Sequence, residues 1–181
     1  MTLTRFLLSM EPEQQNGENY SLLTDRIREV FGDVPYPGDQ NIISTPDHVQ
    51  SCGECSLLYH ALVGKRWTEL SEDDSSSGYI SHAMSFFTAA GWHHYLPAYL
   101  IQSINLRRFS SMYFGPRFNA RWNERISRLT PRQCKTVIAY LLIVLKEDVQ
   151  SQYCVDRNVE AIRHWKGILE VAASRDQWRA N

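Results

Sequence analysis

Long apolar runs are missing from this sequence. The longest, Val137 to Leu145, is well short of the roughly 20 residues that a membrane-crossing helix needs. The apolar cluster at Arg5-Phe6-Leu7-Leu8 is too short for the core of a secretory signal. Both absences predict a cytoplasmic protein in a reducing compartment. Its few cysteines (Cys52, Cys55, Cys134 and Cys154) are therefore expected as free thiols or metal ligands before disulfides. Charge of one sign is not in excess either: 19 basic residues stand against 20 acidic ones, and a net charge of −1 favours no class of partner. There is no internal repeat, no glycine-rich phosphate loop, no G-x-S-x-G turn and no second C-x2-C pair. The signatures of nucleotide binding, of a hydrolase elbow and of a four-cysteine zinc site are thus all missing. Period-two alternation is equally scarce, and Ile42-Ile43 is the best candidate for even a short strand.

Helical periodicity is what remains, in a chain with 43% hydrophobic and 22% charged residues. Residues 1–18 read as a flexible tail, with Glu11 to Glu18 solvated. Leu22, Leu23, Ile27, Val30 and Phe31 then predict a helix over 19–31 that Gly32 ends. Pro46-Asp47 starts a helix that runs to Gly64, and Trp67 to Leu70 makes one turn before an acidic, serine-rich loop at 72–78. A helix is predicted over 79–87. Thr88 caps a short one through Tyr95, and Leu96-Pro97 is a junction to another over 97–106. Phe118, Trp122, Ile126 and Leu129 form a further stripe. Thr130-Pro131-Arg132-Gln133 is a capping-box start for a helix to Glu147, and a last helix spans 152–174. Trp67, Trp92, Trp122 and Trp165 are read as core anchors, leaving Trp178 exposed or tucked back. The expectation is all-α: a single-domain irregular helical bundle of about seven or eight helices over 19–181.

Four motifs stand out as a set: Asp33-Val34-Pro35-Tyr36-Pro37-Gly38-Asp39, Gly64-Lys65-Arg66-Trp67, Ser85-Phe86-Phe87-Thr88 and Tyr95-Leu96-Pro97-Ala98-Tyr99-Leu100. With them, residues 22–104 resemble a family of small bacterial proteins of unknown function. The resemblance implies fold and a bacterial origin, and it implies no activity. The motif residues themselves are turn and packing types.

Three kinds of chemistry are weighed against structural readings. His48, Cys52 and Cys55 have zinc-ligand spacing, and on a continuous helix they fall within roughly 60° of arc. A fourth ligand must then come from His60, His82, His93, His94 or a distant cysteine; the alternative is two small thiols packed on a helix face. Cys52-Gly53-Glu54-Cys55 also has the shape of a redox dithiol. That chemistry needs its first cysteine exposed at a helix start, and no strand precedes it to supply the usual setting. His93 and His94 are the residues a hydrolase would use for proton transfer, against a reading as a helix edge that packs one ring and exposes the other.

The charge distribution is the sharper lead. Eight basic residues and one acid lie between Arg107 and Lys135, so this stretch carries +7 and the rest of the chain −8. Arg117, Arg121, Arg125, Arg128 and Arg132 form a ridge that suits an acidic protein surface or, less well, nucleic-acid phosphates. Its bland reading is a solvated face paired with acids of the same chain. The expectation is a non-enzymatic protein that binds a protein partner through this ridge or the acidic 69–74 segment, with an immunity or inhibitor-type role. A structural zinc module and a histidine-dependent hydrolase are the alternatives. No cofactor is expected beyond that zinc.

Overall fold

The computed structural model describes residues 12–43, 46–70, 84–108, 114, 120–147 and 152–180. Seven α-helices lie in these segments: α1 Pro12–Phe31, α2 Pro46–Ser51, α3 Gly53–Leu62, α4 Ala89–Asn105, α5 Ala120–Ser127, α6 Pro131–Glu147 and α7 Gln152–Ala180. Two 3-10 turns, Asp39–Asn41 and Trp67–Glu69, join them. The only pairing of extended backbone among the described residues is one antiparallel bridge, Ile43 to Phe87. The protein is an all-α helical bundle.

The bundle is built round α4, whose composition is apolar on nearly every side and therefore has to be covered on nearly every side. Trp92, Tyr95, Leu96, Leu100 and Ile104 are all buried. Helix α1 lies along it, with Tyr20, Leu23, Ile27 and Phe31 turned inward, while the α6–α7 hairpin packs against α1 and α5 packs against α4. Aromatic rings bridge these layers. Trp122 of α5 meets Trp92 of α4 edge-on at 5.7 Å and Trp165 of α7 at 6.2 Å. Phe114 sits among Tyr99, Tyr140 and Trp165, and Trp165 Nε1 donates to its carbonyl at 2.9 Å. All four tryptophans read as anchors are buried.

The start of α4 shows how local signals fix tertiary position. Thr88 Oγ1 accepts from the Gly91 N–H at 2.9 Å and donates to the Asn41 carbonyl, while the Thr88 N–H donates to Ile42 O at 3.0 Å. The cap therefore clamps the 39–43 segment onto the helix. A side chain at Gly91 would put its Cβ 2.4 Å from Ile42 O, so only glycine permits this approach.

Several expected boundaries move. Helix α1 begins at Pro12, so residues 12–18, read as part of the tail, are helical. The helix expected from Pro46 to Gly64 is two helices, interrupted at Cys52, whose backbone is extended at φ −115 and ψ 112. Leu96-Pro97 is no junction, because α4 continues through it. Pro97 lacks only the one N–H that would reach back to His93 O, and burial against the neighbouring helices on both sides holds the turn together. Helix α7 continues past 174. The capping box at Thr130 is present: Thr130 N–H donates to Gln133 Oε1 at 3.0 Å and Gln133 N–H to Thr130 Oγ1 at 3.2 Å. The acidic loop at 72–78, residues 79–83 of the helix expected there, and Phe118 lie outside the described residues, as does the side chain of Trp178.

Candidate functional site

The motif residues converge. Tyr36 of the proline-rich turn accepts from the Gly64 N–H at 2.8 Å and donates to Asp39 Oδ1 at 2.5 Å. Burial, followed by that bond to Asp39, pushes the Tyr36 hydroxyl up to about 12. Tyr95 points its hydroxyl hydrogen between the carbonyls of Leu62 and Lys65, 2.9 Å from each. The Trp67 N–H donates to His94 Nε2 at 3.0 Å, and the Tyr36 ring meets the His94 ring edge-on at 5.6 Å. These residues form the joint that ties the loops after α1 and α3 to α4.

The same joint encloses His94. His94 is 1% exposed, and burial first, then the neighbouring His93 and Arg66, hold it below its ordinary value. His93 Nε2 is 3.1 Å from Gln133 Oε1, and burial lowers this ring too. A base wedged between a backbone N–H and the core has no face for a substrate. His60 is exposed and edge-on to Tyr59, and His82 lies outside the described residues.

Among the described residues of the expected arginine ridge, Arg128 and Arg132 are exposed and Arg125 is not. Arg125, expected on the surface, is 4% exposed. It donates from Nη2 to Phe87 O at 2.6 Å and reaches Ser85 O at 3.4 Å, with its guanidinium 6.0 Å above the Trp92 ring. The helix face beside Trp122 turns inward, and the guanidinium is held there because two main-chain carbonyls solvate it. Arg132 is exposed but paired with Glu29 at 2.5 Å, and Arg128 lies 3.7 Å from Glu124. Arg117 and the side chain of Arg121 lie outside the described residues.

The thiols are placed differently from one another. Cys52 is the N-cap residue of α3 and half-exposed, while Cys55 is buried one turn on. The break at Cys52 abolishes the continuous helix on which 48, 52 and 55 would share a narrow arc. His48's side chain lies outside the described residues, and among those described no three His, Cys, Asp or Glu side chains gather as a metal site.

A concave surface lies elsewhere. Between the end of α1, the Trp67–Glu69 turn and the outer face of α4 there is a groove of about 410 Å³, lined by Trp67, Leu70, Ala98, Ile101, Leu106 and Arg28 among others. Exposed Arg107 and Arg108 follow directly on Leu106 at one end, and exposed Arg66 precedes Trp67 near the other.

Residues 19–168 match the Family of unknown function (DUF6714). The chain belongs to this family. The match runs well beyond the 22–104 read from the motifs and takes in the arginine-rich segment and most of the last two helices. No curated protein and no solved structure matches the chain. The family's span contains the joint, the dithiol and the groove alike.

Sequence reasoning missed the groove, because its lining comes from three elements far apart in the chain. It also missed Arg107, a non-glycine residue at φ 49. Arg107 N–H donates to Ile104 O at 3.1 Å and Arg108 N–H to Ser103 O at 3.0 Å. These are the two bonds of a Schellman helix end, where glycine is the usual residue. A left-handed arginine costs about 1–2 kcal/mol. Its guanidinium stacks 4.9 Å over the Tyr20 ring.

Proposed function

We propose that the protein acts without catalysis, as a binding module for a protein partner with an acidic contact surface, in an inhibitor or immunity-type role. The observation that carries this is the groove along α4. Its volume is in the range that takes one or two partner side chains. Its floor of Trp67, Leu70, Ala98 and Ile101 suits an apolar anchor; Arg28 on its wall, and exposed Arg107 and Arg108 next in sequence to Leu106, suit carboxylates of the same partner. Burial of His94, with its Nε2 taken by the Trp67 N–H, supports a non-enzymatic reading by leaving that ring no face for a substrate. Burial of Arg125 takes one guanidinium out of the expected ridge and so favours a contact at the groove.

The test is titration calorimetry against the proteins encoded next to this gene. Filling the groove with Ala98→Trp, or reversing its end with the pair Arg107→Glu and Arg108→Glu, should weaken a partner's binding about tenfold or more. Arg128→Glu should leave it nearly unchanged. Equal binding by the groove variants with loss in Arg128→Glu would return the contact to the ridge. Binding of nucleic acid with a steep salt dependence would replace the reading altogether.

A further inference from the structure

Cys52 and Cys55 are the one nucleophilic pair that neither the joint nor the groove uses. Their surroundings separate them into an attacking and a resolving thiol. Cys52 caps α3 with extended backbone and is reachable from solvent, and Ser56 N–H closes the first turn on its carbonyl at 2.9 Å. The start of α3 favours its thiolate: the Cys55 backbone N–H first, then the Cys55 thiol, hold the Cys52 thiol below the usual range. Cys55 is fully buried, and burial, then the neighbouring Cys52 sulfur, pushes its thiol up. Three residues apart across a helix start, the two Cα atoms lie about 5 Å apart, inside the roughly 4.4–6.8 Å that a disulfide spans. Cys134 is buried in the core and Cys154 is half-buried on α7.

We propose that Cys52 and Cys55 are a redox-active dithiol that exchanges with small-molecule disulfides. The Cys52 thiolate attacks one sulfur of the disulfide; that S–S bond breaks, and the departing thiolate takes up the proton Cys52 had released. Cys55 then loses its proton and attacks the Cys52 sulfur of the mixed disulfide. The second thiolate leaves and is protonated in turn. Two electrons and two protons have passed to the disulfide, which ends as two thiols, and the chain holds a Cys52–Cys55 bond. The sequence reading lacked the exposed helix start that this chemistry needs. The break at Cys52 supplies it without a preceding strand.

The experiment takes the full chain, reduced and chelator-treated, and equilibrates it in mixtures of glutathione and glutathione disulfide. Peptide mass spectrometry after alkylation then reads each cysteine. Expected is an intramolecular Cys52–Cys55 bond in the oxidising mixtures. In the reduced chain, brief alkylation should label Cys52 about tenfold or more ahead of Cys55, Cys134 and Cys154. Cys55→Ser should trap glutathione on Cys52, and Cys52→Ser should trap none; circular dichroism checks that both variants fold. Labelling of Cys154 ahead of Cys52, or oxidation that links either residue to Cys134, Cys154 or a second chain, would overturn the proposal. So would a zinc equivalent on the untreated chain that blocks both thiols until chelation, since the pair would then be a metal site.

Discussion

The backbone N–H of Trp67 donates to His94 Nε2 at 3.0 Å in the interior of the protein, and this single bond assigns the ring's proton. A nitrogen that accepts carries no hydrogen, so the proton is on Nδ1. That atom faces the carbonyls of Val34 and Pro35, which favour its proton although neither closes a well-formed bond. Protonating Nε2 would expel the Trp67 N–H and leave it buried without its partner.

Stability should therefore fall in mild acid. His93, His94 and His164 are all held below the ordinary value of 6.5, chiefly by burial. Below 6.5 the unfolded chain takes up protons that the folded one refuses, so the stability present above that value is lost as pH falls towards the folded values. A wholly buried imidazole contributes at most about 1.4 kcal/mol per pH unit in that window, and the more exposed His164 less. Urea unfolding midpoints between about pH 7.5 and pH 5.5 measure it. His94→Phe should flatten part of the slope while costing about 1–3 kcal/mol at neutral pH for the abandoned Trp67 N–H. A midpoint independent of pH would contradict the neutral, buried rings.

Arg125 should behave as a core residue. Arg125→Met keeps most of the side chain's length but removes the charged donor from Phe87 O, and should cost about 1.5–3 kcal/mol. Arg128→Ala, which loses only a 3.7 Å pair in solvent, should change stability by less than about 0.5 kcal/mol. Chemical denaturation of the two variants separates the buried arginine from the surface one. Equal, small losses would mean that Arg125 is a surface charge after all.

How much of this was legible in the sequence depended on how local the causes were. The capping box at Thr130 and Gln133, the cap at Thr88 and the four tryptophan anchors rest on neighbours within a turn or on helical spacing, and all were readable. Arg125 was not, because the carbonyls that hold it lie 38 and 40 residues earlier in the chain. Pro97 read as a boundary since local chemistry disfavours it in a helix, whereas burial on both sides decided otherwise. The four motifs were visible as motifs. Their contact with one another, through Tyr36, Gly64, Trp67, Phe87 and Tyr95 and the adjoining His94, appears only in three dimensions. For the candidate sites the residue types were legible at Cys52 and Cys55 and the helix break at Cys52 was not; the groove left no signal at all.

The clamp at the start of α4 gives two opposed expectations. By helix propensity alone Gly91→Ala should stabilise the protein by about 0.8–1 kcal/mol. The 2.4 Å approach to Ile42 O forces the 39–43 segment away instead, and overpacking of this kind costs about 1–3 kcal/mol. The clash wins, and thermal melting should show a loss. Thr88→Ala removes the cap and should cost about 1 kcal/mol. A stabilised Gly91→Ala variant would show that the segment can move aside freely.

Arg107 tests whether stability is given up at the groove's end. Arg107→Ala keeps the left-handed backbone and loses the stacking on Tyr20, so it should destabilise by about 0.5–1 kcal/mol. Arg107→Gly loses the same stacking but relieves about 1–2 kcal/mol of backbone strain, and should be the more stable of the two by about 1 kcal/mol. Paired urea unfolding curves measure the difference directly. Both variants remove the same charge from beside Leu106, so both should weaken an acidic partner alike. A partner lost equally from the stabilised and the destabilised variant reads the guanidinium itself, and a loss that followed stability would place Arg107 in the scaffold instead.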